Sequence, residues 1–186
     1  MGTSSDLLSR ENAYLDSQRK EYRELKAMFK LMTTHTSQAL LRKSQVIMKR
    51  WEERARKEIA SAYGTASLSL RDPLPRHLEQ LAAALSSSGE KSTSEIAVTT
   101  AHKEGVGKIH GRDRANTSSY SIAEVIFEYR ILRQVTIQVL EEETPLTAIE
   151  REIITDLIEQ AVNDAAAEFS EAVRDMRDQY TETLTH

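Results

Sequence analysis

Cysteine is missing from the whole 186-residue chain, proline occurs three times, glycine six times, and aromatic residues make up only 5%. Without thiols there are no disulfides and no thiolate metal sites, and nothing suggests an oxidising compartment. So few turn formers beside 29% charged residues argue against a sheet with many turns and for long, solvated helices. No apolar run approaches the roughly 20 residues that cross a bilayer, and the opening Met1-Gly2-Thr3-Ser4-Ser5-Asp6 lacks the basic-then-apolar layout of a signal peptide. No membrane span is expected, and the expected location is cytoplasmic. The net charge of −4 comes from interleaved signs. That gives no broad basic field for a phosphate backbone, so nucleic acid is not an expected partner.

What is present is helix-forming sequence, enough for one compact domain with helical extensions. From Asp6 to Tyr63 neither Gly nor Pro occurs, and residues that lose little on entering a helix dominate. One or two long helices are predicted. Leu8, Leu15, Tyr22 and Phe29 recur every seventh residue with Leu25 and Met32 between them, although Glu11 and Gln18 interrupt the second seam position. This stretch reads either as a dimerising arm or as a helix packed on its own domain. Trp51, Ile59 and Tyr63 suggest a turn into the core before Gly64 ends the helix in a left-handed conformation. A short loop follows, and Asp72-Pro73 caps a helix that presents Leu74, Leu78, Leu81 and Leu85 on one face until Ser86-Ser87-Ser88-Gly89.

A further helix is predicted over 94–114, with Thr99, His102, Val106, Ile109, His110 and Asp113 near one polar stripe. Gly105 and Gly107 weaken it, so they serve a close helix approach, a kink or a break. Ser121 and Glu124 form a capping box that Tyr120 and Val125 can staple, opening a helix from Ile122 to Leu140 that is apolar around much of its circumference. That helix should be the central one. Thr147 and Glu150 form a second box, and no Gly or Pro follows before His186. Ile149, Ile153, Ile154, Leu157 and Ile158 suit a core, whereas Val162, Phe169 and Met176 alternate with Ala166, Val173 and Tyr180 in a seven-residue pattern. A helix longer than its domain needs a partner surface, and a parallel homodimer through this seam is expected.

Two stretches together resemble a known family. Trp51, Leu70-Arg71-Asp72-Pro73-Leu74-Pro75, His110-Gly111-Arg112-Asp113-Arg114 and Glu128-Tyr129-Arg130-Ile131-Leu132-Arg133, in this order and separation, resemble the RsbR/RsbRD-type N-terminal sensory domain. The resemblance implies a globin-like, usually haem-free helical fold. Arg177-Asp178-Gln179-Tyr180-Thr181-Glu182-Thr183-Leu184-Thr185-His186 looks like the lead-in to the phosphoacceptor motif of sensor histidine kinases, in which an acidic residue, Leu, Arg and Pro follow the His. The chain stops at His186, so those neighbours and the ATP-binding domain are missing. The expected architecture is all-α: a helical extension over 1–35, a globin-like sensory domain over 36–160, and a coiled-coil linker over 161–186 leading into the phosphoacceptor helix.

The function this implies is signal input and dimerisation for a cytoplasmic two-component sensor histidine kinase, with the parent's kinase domain and a response regulator as downstream partners. Alternatives are a stressosome-type scaffold and a haem or small-molecule sensor. The chain has no Gly-rich phosphate loop, no clustered carboxylates and no Ser-His-Asp or Cys-His arrangement on a shared element, so no enzyme activity is expected of it. His186 is the candidate phosphoacceptor in the parent, its imidazole being the nucleophile. His102 and His110 are the histidines placed for a buried cofactor, but they lack metal-site spacing and no metal or haem is expected. His110, Arg112, Arg114, Glu128, Tyr129 and Arg133 are candidates for a buried polar network that sets packing or a switch, since charges persist in a helical core only when paired.

Overall fold

The computed structural model describes residues 3–87, 105–117 and 120–184, with side chains from Ser17 onward except at 29, 32 and 33. Seven helices and no strand occur among the described residues: α1 (Thr3–Glu58), α2 (Ala60–Tyr63), α3 (Ser67–Arg71), α4 (Leu74–Ser87), α5 (Val106–Ala115), α6 (Ile122–Glu141) and α7 (Ala148–Leu184). None is long and apolar enough to cross a membrane.

The uninterrupted run from Asp6 does form one long helix, and it breaks where no Gly or Pro announces it. Ile59 adopts an extended conformation at φ −123°, ψ 118°, and its side chain is buried. The resulting turn lets Ser61 donate its hydroxyl to Glu124 at 2.9 Å. Gly64 has φ −90°, so it ends α2 in the right-handed region and not in the left-handed one expected. The predicted loop before Asp72 contains α3. Its Ser67 and Arg71 bind Glu52 of α1, which also accepts from Arg56 at 2.8 Å.

Both predicted capping boxes are present. Glu124 N–H donates to Ser121 Oγ at 3.3 Å while Ser121 N–H donates to Glu124 at 2.9 Å, and Thr147 N–H reaches Glu150 at 2.8 Å with the return bond at 3.2 Å. These side chains satisfy N–H groups that the helix itself leaves unbonded.

α6 and α7 form an antiparallel hairpin, tied by Arg151 to Glu141 at the turn and by Arg133 to Glu159 at 3.6 Å further along. α1 is also antiparallel to α6, because Arg42 meets Glu143 and Arg54 meets Gln134. α1 and α7 therefore run in the same direction. Thr36 donates to Glu150 at 2.5 Å, which places the start of the packed part of α1 beside the start of α7. The core gathers Leu40, Ile47 and Trp51 of α1, the Leu face of α4, Ile131, Leu132 and Val135 of α6, and Ile153, Ile154 and Leu157 of α7.

Packing on α7 continues through Ala161, Ala165 and Phe169 to Ala172, past the boundary expected at 160. Phe169, expected on the dimer seam, is buried in its own chain's core, because this face of α7 lies against the domain. Ile149, expected in the core, and Ile126 of α6 stand 43% exposed. Val173, Met176 and Tyr180 are exposed on the last turns of α7, while Val162 and Ala166 are half-buried. Tyr22 and Leu25 of the α1 arm are exposed as well.

Candidate functional site

Of the six residues expected in a polar network, His110, Arg114 and Glu128 meet through polar contacts, around one carboxylate. Glu128, on the inward face of α6, is 1% exposed. It accepts from His110 Nε2 at 2.7 Å, from Arg114 Nε at 3.0 Å and from the Tyr120 hydroxyl at 2.9 Å. Arg114 spends its remaining donors on the backbone carbonyls of Ser69 at 3.2 Å and Leu70 at 2.9 Å, and its guanidinium lies 5.0 Å from the Tyr120 ring centre. The Glu128 carbonyl accepts from the Trp51 indole N–H at 3.0 Å. One buried ion pair thus joins α1, α3, α5 and α6. Burial alone would raise the Glu128 carboxyl, but the His110 hydrogen bond and the charges of His110 and Arg114 hold it below the usual carboxylate range. The Tyr120 phenol moves up, through burial first and the adjacent Glu128 charge second.

Tyr129 completes the group by packing, its ring meeting the edges of His110 at 5.2 Å and His77 at 5.6 Å. His77 is 4% exposed, and among the described residues neither of its ring nitrogens has a hydrogen-bond partner, nor does His110 Nδ1. A cavity of about 10 Å³ lies against Leu74, His77, Val106, His110, Tyr129 and Leu132, room for about one water molecule. Burial, then repulsion from His110, lowers the His77 imidazole to about 4.

Two expected members of the cluster lie elsewhere. Arg112 points outward from α5 to Glu168 at 2.5 Å, and Arg133 reaches Glu159 across the outside of the α6–α7 hairpin. At about 100° per residue, Arg112 lies about 160° around α5 from His110 and Arg114, and Arg133 about 140° around α6 from Glu128, so neither reaches the carboxylate. Tyr120, His77 and Trp51 join the group without a signal in the sequence, because they come from a cap, another helix and a distant part of the chain. His186 and His102 lie outside the described residues, as does the part of the predicted 94–114 helix before Gly105. No group of three or more potential metal-ligating residues occurs among the described ones.

His110-Gly111 lies mid-helix in α5, and the glycines of α5 explain how that helix is seated. A Cβ at Gly107 would lie 2.7 Å from the Ala161 carbonyl oxygen, and one at Gly111 would run into the Ala165 carbonyl. Gly105, at φ 57°, begins α5 in the left-handed region that glycine occupies without penalty. α5 therefore touches the α7 backbone through its glycines while His110 and Arg114, on an adjoining face, grip Glu128. Gly111→Ala should cost about 1–3 kcal/mol through forced separation of α5 and α7, read as a lower urea midpoint. An unchanged midpoint would show that the contact gives way freely.

Compared with protein-family models, with curated proteins and with solved structures, the chain matches none of them.

Proposed function

We propose that this chain is the dimeric, globin-like signal-input segment of a cytoplasmic two-component sensor histidine kinase, with α7 as its output. One observation carries the proposal. α7 starts inside the core and continues unbroken for 37 residues, about 55 Å, past its last buried residue Ala172. Beyond that point Val173, Met176, Tyr180 and Leu184 are 39–70% exposed at spacings that put them on one face. An apolar stripe on a helix free of its own domain is matched by the same stripe on a second copy. In this reading His186, two residues past the described helix, is the phosphoacceptor of the longer parent, and the response regulator is met there.

The means of transmission is α5. A stimulus that favours one arrangement of the Glu128 cluster over another shifts α5, and the glycine contacts pass that shift to α7 as a small rotation or translation. The segment itself performs no catalysis and holds no cofactor in this proposal.

Two measurements test it. By light scattering at tens of micromolar, the whole chain should have twice the mass of one chain, and a chain ending at Ala172 should be monomeric. For signalling, the chain is joined to the dimerisation helix and catalytic domain of a sensor kinase, with residues inserted singly after Tyr180. Autophosphorylation should rise and fall with the roughly seven-residue period of a coiled coil. A response indifferent to the insertions would remove the kinase reading and favour a scaffold role.

A further inference from the structure

His77 stands between two small cavities. The first is the one it shares with Leu74, His110 and Tyr129, and the second, also about 10 Å³, lies against Gln80 of α4, Gly107 of α5 and both Ala161 and Asp164 of α7. Each has room for about one water molecule. In the observed packing the His77 ring meets Tyr129 at 5.6 Å, and among the described residues neither of its nitrogens has a hydrogen-bond partner. This position suits a neutral imidazole, because a buried cation needs a charged, hydrogen-bonding partner.

The groups around the ring show where a partner lies. On the first side the titratable ones are His110 of α5 and Glu128 and Tyr129 of α6. The Glu128 carboxylate already accepts from His110, Arg114 and Tyr120, and a charge on His110 repels one on His77. α1 adds only Trp51, whose indole N–H is bound to the Glu128 carbonyl. Arg76 and Glu79 of α4 itself are exposed and line neither cavity. On the second side the titratable group is Asp164, which is half-buried, and among the described residues no Lys, Arg or His is paired with it. We propose that His77 and Asp164 form a two-position switch: the neutral ring rests on Tyr129, and once it takes a proton from solvent it turns across the second cavity to donate to the Asp164 carboxylate. Asp164 lies on α7 between Ala161 and Ala165, the residues whose carbonyls meet Gly107 and Gly111. The new ion pair therefore draws α4 toward the stretch of α7 that α5 touches. Resting on the reading of α7 as the output, acid becomes a stimulus that biases α7 from inside the domain.

Nitrogen NMR of the histidine rings during an acid titration of the folded chain tests the switch, with His77→Phe identifying the His77 signals. Asp164→Asn keeps the shape of the side chain and removes its charge. It should leave the His77 ring about tenfold less protonated at the same pH, the smaller end of what an opposite charge within about 6 Å does. The backbone amides of Gly107 and Ala161 should shift in step with that ring in the unaltered chain, and acid should leave them unmoved in His77→Phe. Equal protonation of His77 with and without the Asp164 charge overturns the switch. Protonation that depends on Asp164 while Gly107 and Ala161 stay still overturns its link to α7. The titration is read on the chain alone, so it decides the pairing whether or not the insertion series above supports a kinase.

Discussion

Replacing Arg114 with methionine should lower the free energy of unfolding by about 3–5 kcal/mol, the cost of removing one partner from a buried ion pair. The guanidinium is 2% exposed and meets both oxygens of Glu128, so its loss leaves a carboxylate inside the core with only His110 and Tyr120 to hold it. Glu128→Gln should also be costly, because it leaves the guanidinium buried beside a neutral amide. The double variant removes both charges, and the amide can still serve His110 and Tyr120. It should therefore be more stable than the sum of the two losses predicts, by more than the ~0.5 kcal/mol within which independent sites add. Urea unfolding of the four proteins gives the coupling. Strict additivity would mean that Glu128 and Arg114 do not act as a pair.

Acid should expose the second large effect. The His77 imidazole is lowered from 6.5 to about 4, so as pH falls below 6.5 the unfolded chain takes up a proton that the folded one refuses. Stability from this residue is intact above that range, is lost as pH falls from 6.5 toward 4, and does not fall further below it. Between pH 7 and pH 5 the loss is about 2 kcal/mol, and over the whole window about 3 kcal/mol, at 1.36 kcal/mol per pKa unit. His77→Phe keeps a ring against Tyr129, removes the two unpartnered nitrogens and cannot titrate. Its stability should drop less than that of the unaltered chain from pH 7 to pH 5. Parallel pH profiles would show that His77 reaches solvent or a partner in solution.

Local signals are legible in the residues themselves. The two capping boxes, the Leu face of α4, the central place of α6 and the unbroken run of α7 depend on neighbours within a few positions, and all appear in the structure. Residues at a helical period apart on a mostly buried α6 also pointed to Glu128 as a charge needing partners. What escaped were contacts between distant elements. No Gly or Pro beside Ile59 announces its extended backbone; its side chain is buried, and the break brings Ser61 to Glu124 of α6, a helix that comes much later. The seven-residue pattern in α7 could not tell a position facing a second copy from one facing its own domain, since both call for apolar residues. Phe169 took the second role.

Where α4, α6 and α7 begin, which helix faces are apolar, and that an Arg, a His and a Glu would need one another if buried all follow from the order of residues, because helical period and charge chemistry are local properties. Long-range packing completes the cluster with Tyr120 and two carbonyls of α3, keeps Arg112 and Arg133 outside it, and makes Gly107 and Gly111 sites of backbone contact with α7. Those outcomes depend on the distance between elements many residues apart, which the order of residues along one helix does not set.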